Sequence, residues 1–326
     1  MKIIIVGLGS IGNKHLETLM VLKRKHPLDI IRFSPSSHRE PEYFKELATQ
    51  IKDNQIEAAI ICNPTFLHLQ TVRLCLELGL HVFVEKPISD VYDPQEIRVL
   101  VRLARKQNLT VMVGYDMRFN PWIKKVKELI EDNQIGDVWG LRIVAGQYLP
   151  NWRKIDYRKV YSAKKELGGG VLLDLSHEID YLTWLLDKKI KTVSARQIYT
   201  KRIQIETEDV CSMIFEYVDK SVAEVHLDYL NIPYRRSMEV YGEKGTIVWD
   251  GNLNTVLIYT NDANKPLAVK VNWVKQNDTY YDELDHFIEC TKSGSEPINS
   301  LANSLYVSKI IDRVGKSSRL GRAVKF

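Results

Sequence analysis

The sequence predicts a two-domain α/β protein: a doubly wound parallel sheet over residues 1–118, then an α/β domain over 119–326 with a large open, mostly antiparallel sheet. Three observations carry this reading. In the first third, short apolar runs alternate with helical stretches, which is the pattern of parallel strands covered on both faces. A glycine-rich turn, Gly7-Leu8-Gly9-Ser10-Ile11-Gly12, stands between the first apolar run and the first helix. Beyond residue 119, strand-like segments follow one another across turns such as Gly242–Gly245 and Asp250-Gly251, the mark of antiparallel meanders.

Lys2–Val6 is β-branched, short and continuously apolar, a buried strand. A helix over Ile11–Lys25 is closed by Pro27, and Asp29–Phe33 is the second strand. Glu42–Lys52 is a helix, Ala58–Cys62 a strand, and Thr65–Leu78 a helix that Gly79 stops. His81–Val84 is the fourth strand. Pro94–Lys106 is a helix opened by Asp93 as its cap and Pro94 at its first position, and Thr110–Val113 is the fifth strand. The second domain opens with a helix over Pro121–Asp132 and a strand over Val138–Gln147. An aromatic and basic loop, Tyr148–Glu166, leads through Gly168-Gly169-Gly170 into a helix over Leu172–Leu186. Strands are expected at Thr192–Tyr199, Val210–Tyr217, Val222–Leu230, Ser237–Tyr241, Thr246–Trp249, Thr255–Tyr259 and Ala268–Trp273, then helices at Tyr281–Lys292 and Ser300–Val314.

Composition narrows the function. A net charge of +5 is spread in pairs such as Lys124-Lys125 and Arg235-Arg236, a solvated surface with a lean toward anionic small molecules rather than nucleic acid. The basic stretch Lys316–Arg322 reads as a frayed, solvated tail. Cys62, Cys75, Cys211 and Cys290 stand far apart with no metal-ligand spacing, so neither a metal site nor a disulfide framework is expected, and a reducing cytoplasm fits. No apolar run reaches the roughly 18 residues that span a bilayer.

Two motifs carry chemistry. In a strand-turn-helix context, Gly7 permits a tight turn, Gly9 lets the backbone approach a pyrophosphate, and Gly12 lets helix and strand pack closely. The turn Gly7, Leu8, Gly9, Ser10, Ile11, Gly12 is therefore the expected cofactor cradle. The second strand ends without the acid that holds the ribose of NAD. Ser34, Ser36 and Arg39 stand there instead and suit a 2′-phosphate, so NADP is favoured over NAD. The second motif is Glu85-Lys86-Pro87. It places a lysine at the carboxyl end of a strand, the edge where open sheets bind ligands, and an amine there serves as proton donor or acceptor for hydride transfer.

The order GxGxxG, Asn63-Pro64-Thr65-x-x-His68, Glu85-Lys86-Pro87, Gly114-Tyr115-x-x-Arg118-Phe119, then a glycine run before Asp174 and His177, resembles the glucose-fructose oxidoreductase/inositol dehydrogenase/MocA (Gfo/Idh/MocA) family over essentially the whole chain. The resemblance implies a Rossmann domain followed by a substrate and oligomerisation domain. It also implies an enzyme that moves hydride between NAD(P) and a sugar, inositol or nucleotide sugar, and a homodimer or homotetramer. It makes Lys86 the acid/base, places Asn63, Pro64, His68, Glu85 and Tyr115 beside the cofactor, and puts Arg118 near the substrate. Asp174 and His177 become a substrate-binding and proton-handling pair, with Asp180 to orient the histidine. Their spacing is one residue shorter than the family's, though positions three apart share a helix face. Tyr148, Trp152, Arg153, Tyr157, Arg158 and Tyr161 supply aromatic and cationic groups suited to an anionic sugar, and a packing or partner-subunit contact fits the same segment. A cofactor-binding regulator without turnover and a reductase of C=N bonds or non-sugar carbonyls also fit; the intact Lys86-Pro87 and His177 argue against the first.

Overall fold

The computed structural model describes residues 1–326 apart from 36–39, 153, 264 and 272–277. The chain divides into two compact units, Met1–Phe119 with Lys275–Ser308, and Asn120–Val274 with Lys309–Phe326.

The first unit is a five-stranded parallel sheet in the order β2-β1-β3-β4-β5. Its strands are β1 (Lys2–Val6), β2 (Asp29–Phe33), β3 (Ala58–Ile61), β4 (His81–Glu85) and β5 (Val111–Gly114). Helices α1 (Ser10–Leu22), α2 (Glu42–Asp53), α3 (His68–Glu77) and α4 (Pro94–Lys106) alternate with them. The cores of β1, β3, β4 and β5 are fully buried because both faces are covered, while the edge strand β2 buries only Phe33. Asp93 caps α4 by accepting from the Gln95 and Glu96 amides, as its sequence position predicts. The expected helix from Thr65 is two elements, a single 3-10 turn over Thr65–Leu67 and then α3 opening at His68.

Two later helices separate in the fold. The helix α8 (Thr279–Ser293) belongs to this first unit, whereas a linear reading leaves it with the second domain. Its Leu284, Phe287 and Ile288 close the same core as Leu19 and Leu22 of α1. His26, just after α1, donates from Nε2 to Asp285 of α8 at 2.7 Å, while Lys25 donates to Asp285 at 2.6 Å and Lys292 donates to His26 Nδ1 at 2.7 Å. His26, Asp285 and Glu289 have the spacing of a metal triad, but the two lysines fill it as an ion-pair network. A long separation along the chain hides this packing from local sequence patterns.

The second unit holds a nine-stranded sheet in the order β13-β12-β11-β10-β6-β9-β8-β7-β14. The strands are β6 (Val138–Gly146), β7 (Ile190–Ile198), β8 (Val210–Tyr217), β9 (Val222–Asp228), β10 (Arg235–Gly242), β11 (Gly245–Asp250), β12 (Thr255–Thr260), β13 (Leu267–Val269) and β14 (Val324–Lys325). Among the described residues of this sheet, only β6 and β9 pair in parallel. Alternating burial, as in Val193, Ala195, Met213 and Phe215, marks one packed and one open face. Helices α5 (Pro121–Glu131), α6 (Val171–Asp174) and α7 (His177–Leu185) pack in this unit. The expected strand Ala268–Trp273 is realised as β13; its last residues lie outside those described.

The C-terminal reading is corrected. Lys316–Arg322 is no frayed tail: the helix α9 (Leu301–Leu320) runs through it, and β14 pairs with β7. The charges face solvent while the serines between them face inward. Ser317 is fully buried and its Oγ accepts the Ala195 N–H at 2.9 Å, while Ser318 Oγ accepts the Gln197 N–H at 2.8 Å. These hydroxyls satisfy donors along the β7 edge. Replacing Ser317 by Ala leaves the buried Ala195 donor unpaired, a cost of about 1–3 kcal/mol. Thermal unfolding of Ser317→Ala should show a Tm several degrees lower; an unchanged Tm would disprove this role.

Candidate active site

The glycine turn has two kinds of glycine. Gly7 has a φ of +98°, and a Cβ there would lie 2.6 Å from the Asn63 nitrogen and the Cys62 carbonyl. A Cβ on Gly12 would lie 1.9 Å from the Gly7 carbonyl oxygen. Both are needed for the chain to pack on itself. Gly9 is not: nothing lies within 4 Å of its Cβ position, and it stands at the N-terminus of α1 with no side chain capping that helix. Free N–H groups beside a glycine that internal packing does not require form a cradle for an anion. The residues fit a dinucleotide pyrophosphate, with Gly9, Ser10 and Ile11 offering backbone to it. Leu8 is held by Asn13, whose side-chain amide donates to its carbonyl at 2.9 Å.

The β3 turn meets this cradle. Asn63 is buried and donates to Thr71 Oγ1 at 2.8 Å and to the Tyr43 hydroxyl at 3.2 Å. Its Oδ1 is buried with no partner among the described residues. Pro64 is exposed. His68 lies between the carbonyls of Asn63 and Pro87, at 2.9 Å from each. Burial pushes its ring below the ordinary value, against the pull of those two carbonyls. His68 thus ties the β3 turn to the end of β4.

At that end, Lys86 is half-buried and Glu85 is 8% exposed. Glu85 Oε1 stands 2.6 Å from His15 Nε2, and Oε2 accepts the Lys86 N–H at 3.2 Å. Tyr115 and Arg118, expected beside nicotinamide and substrate, are each 2% exposed. The Tyr115 carbonyl accepts from Asn299 at 2.8 Å, and Arg118 donates to the Ile298 carbonyl at 2.7 Å. Both anchor the segment after β5. Ser34 is exposed at the end of β2; Ser36 and Arg39 lie outside the described residues.

The remaining expected residues lie in the second unit. The aromatic segment is not an open loop; it folds into single 3-10 turns at Leu149–Asn151, Tyr157–Lys159, Tyr161–Ala163 and Lys165–Leu167. Tyr148 is half-buried. Trp152 donates its indole N–H to the Gln147 carbonyl at 3.1 Å and packs edge-on against Tyr229 at 5.3 Å. The Tyr157 hydroxyl accepts the Gln204 N–H at 3.3 Å. Arg158 is exposed and bound to Asp156, whose carboxyl it holds down at about 2. Arg153 lies outside the described residues.

Asp174 and His177 do not share one continuous helix. The chain breaks between α6 and α7, where the Ser176 and Glu178 amides bond three residues back to Leu173 and Leu175. Asp174 is 5% exposed and accepts from the hydroxyls of Tyr161 and, at 2.7 Å, Tyr229. His177 is half-buried, and Asp180 is 1% exposed. The glycine run serves the chain's own packing: a Cβ on Gly169 would lie 2.2 Å from the Tyr161 carbonyl oxygen, and one on Gly170 would lie 2.6 Å from the Glu208 carboxylate.

The sequence reading missed His15, Glu208 and Tyr229. His15 had a signal, three residues past Gly12 on the helix face turned to the sheet; the other two are brought in by distant strands. Glu208 accepts the Leu172 N–H at 3.2 Å. Burial raises its pKa above the ordinary 4.5, helped by the charge of Asp174 and opposed by its hydrogen bonds. A folded-state pKa above the unfolded one means that the native state holds the extra proton, so its stability is fullest below 4.5 and declines as pH rises through the raised value. The difference in Tm between Glu208→Gln and the parent should therefore shift in favour of the variant as pH rises from about 4.5 to 7; a pH-independent difference would contradict it.

Residues 1–115 match the family described as "Oxidoreductase family, NAD-binding Rossmann fold", and residues 123–248 match "GFO/IDH/MocA C-terminal domain". The chain is 27% identical over 316 residues to myo-inositol 2-dehydrogenase of Thermotoga maritima, covering 91% of this chain and 90% of that one. It is 25% identical over 269 residues to inositol 2-dehydrogenase of Rhizobium meliloti, covering 80% and 78%. Among solved structures, levoglucosan dehydrogenase in complex with NADH and L-sorbose shares the fold, with a TM-score of 0.84 at 18% identity over 100% of this chain and 98% of that one. The chain belongs to the Gfo/Idh/MocA oxidoreductase family and is an NAD(P)-dependent oxidoreductase.

Proposed function

We propose that this enzyme interconverts a secondary alcohol and a ketone on a sugar, inositol or sugar derivative, with Lys86 as the acid/base. The observation that carries this reading is Lys86 itself: a half-buried amine at the carboxyl end of β4, on a backbone held by a buried carboxylate, in the same unit as the anion cradle at Gly9. The bound nicotinamide cofactor supplies the hydride acceptor or donor. Lys86 Nζ takes the hydroxyl proton in oxidation and returns it in reduction. The family resemblance gives His177 and Asp174 the substrate-binding and proton-handling roles, and the hydroxyls of Tyr161 and Tyr229 hold the Asp174 carboxylate in place. Tyr148, Trp152 and Tyr157 supply the stacking faces for the sugar ring. The relatives named for inositol and the neighbour complexed with L-sorbose support this substrate class.

NADP is favoured over NAD because β2 ends at Phe33 and the sequence after it, Ser34 to Arg39, holds no acid but offers Ser34, Ser36 and Arg39 to a 2′-phosphate. NADPH and NADH titrated side by side by nicotinamide fluorescence should give tighter binding of NADPH. Turnover measured on myo-inositol, scyllo-inositol, levoglucosan and UDP-glucose should fall about 10²–10⁴-fold in Lys86→Met, with the cofactor Kd nearly unchanged. Undiminished turnover in Lys86→Met would sink the lysine's role. Cofactor binding by the parent without turnover on any of these compounds would favour the regulator reading.

We also propose that a second copy seats on the open face of the nine-stranded sheet. One outward row crosses five strands as Glu239, Arg142, Glu224, Ile214 and Ser194, combining charges of both signs with an Ile214 that is 50% exposed. Light scattering should report a dimer or tetramer; a monomer at all concentrations would refute this.

A further inference from the structure

We propose that His15 is a positioning residue for Lys86, acting through Glu85; the proposal rests on the acid/base reading of Lys86. His15 lies on the helix whose N-terminus forms the anion cradle, three residues beyond Gly12, and is completely buried. Its ring packs at steep angles against Phe83, with centroids 5.1 Å apart, and Tyr280, at 5.6 Å. Nε2 lies 2.6 Å from Glu85 Oε1, and Nδ1 is buried with no partner among the described residues. A proton on Nδ1 would be a stranded buried donor, so the ring carries its hydrogen on Nε2 and donates it to the carboxylate.

The second carboxylate oxygen accepts the Lys86 N–H. One buried carboxylate therefore joins two elements that share no covalent connection nearby: the helix that grips the cofactor and the residue that handles the proton. Gly114 keeps this arrangement open, since a Cβ there would lie 3.3 Å from Glu85 Oε1. Hydride and proton must leave the same carbinol in register, and an error of about 1 Å in such alignment costs on the order of 10²-fold in rate. The link from His15 through Glu85 to the Lys86 backbone sets that register.

The test uses the full chain with His15→Leu, His15→Gln and Lys86→Met. Glutamine offers a donor at the same reach as Nε2; leucine fills the space without one. In His15→Leu, turnover on the best compound of the polyol and sugar panel should fall about 10–100-fold, the NADH Kd should stay within about threefold, and the Lys86 backbone amide should exchange its hydrogen at least about tenfold faster, while the Val82–Val84 amides keep their protection. His15→Gln should recover most of each loss. The amide exchange requires no substrate, so it decides the link even if no compound on the panel is turned over. Parent-like Lys86 exchange in His15→Leu would overturn the proposal. So would parent-like turnover, or a loss of turnover that tracks a weakened NADH Kd, since that would make His15 a support of the cradle alone. Full turnover in Lys86→Met would instead overturn the acid/base reading and leave the exchange result to judge the link separately.

Discussion

A single buried carboxyl group, Glu85, holds the first unit's chemistry together. Removing such a group from water costs several kcal/mol unless its oxygens are met by donors. Here one oxygen meets His15 and the other meets the Lys86 amide. That requirement reaches outward. His15 must be on the inner face of α1, α1 must pack closely enough on the Gly7 turn to exclude any side chain at Gly12, and a side chain at Gly114 would crowd the Glu85 carboxylate at 3.3 Å. Helix α8 closes the far side with Tyr280 against the imidazole.

The second unit solves a parallel problem with different residues. Asp174 is also a buried carboxylate, and two tyrosine hydroxyls meet it, one from the 3-10 segment and one from the strand end beyond β9. Trp152 then packs on Tyr229. Tyr161, Tyr229 and Trp152 are thereby linked through one acid. Nearby Glu208, buried and capping the amide of Leu172, keeps a second acid in the same neighbourhood.

Most of the fold was legible because its signals are local. Glycine spacing, β-branched runs, Asp93 before Pro94 and the turns between meander strands each act within a few residues. What was not legible depended on distance or on which way a side chain faces. The basic run Lys316–Arg322 looks like a tail by composition, yet its serines bury against β7. The helix expected across Asp174 and His177 breaks between them, where the Ser176 and Glu178 amides bond three residues back rather than four. Lys86 could be singled out from Glu85-Lys86-Pro87 and its context, and its strand-end position follows from the alternation of elements. Arg118 and Tyr115 were placed by motif alone, and motifs do not reveal that both groups are buried anchors. Glu208, before β8, and Tyr229, just beyond β9, lie far along the chain and carry no local signal.

The central claim is that Lys86 handles the proton of a carbinol oxidised or reduced at the cofactor. A crystal structure of the full chain with NADPH or NADH and a bound polyol tests it most directly. The account predicts Lys86 Nζ within about 2.6–3.2 Å of the hydroxyl oxygen on the carbon facing the nicotinamide. A complex in which that oxygen is met by another side chain, with Lys86 turned away, would contradict it.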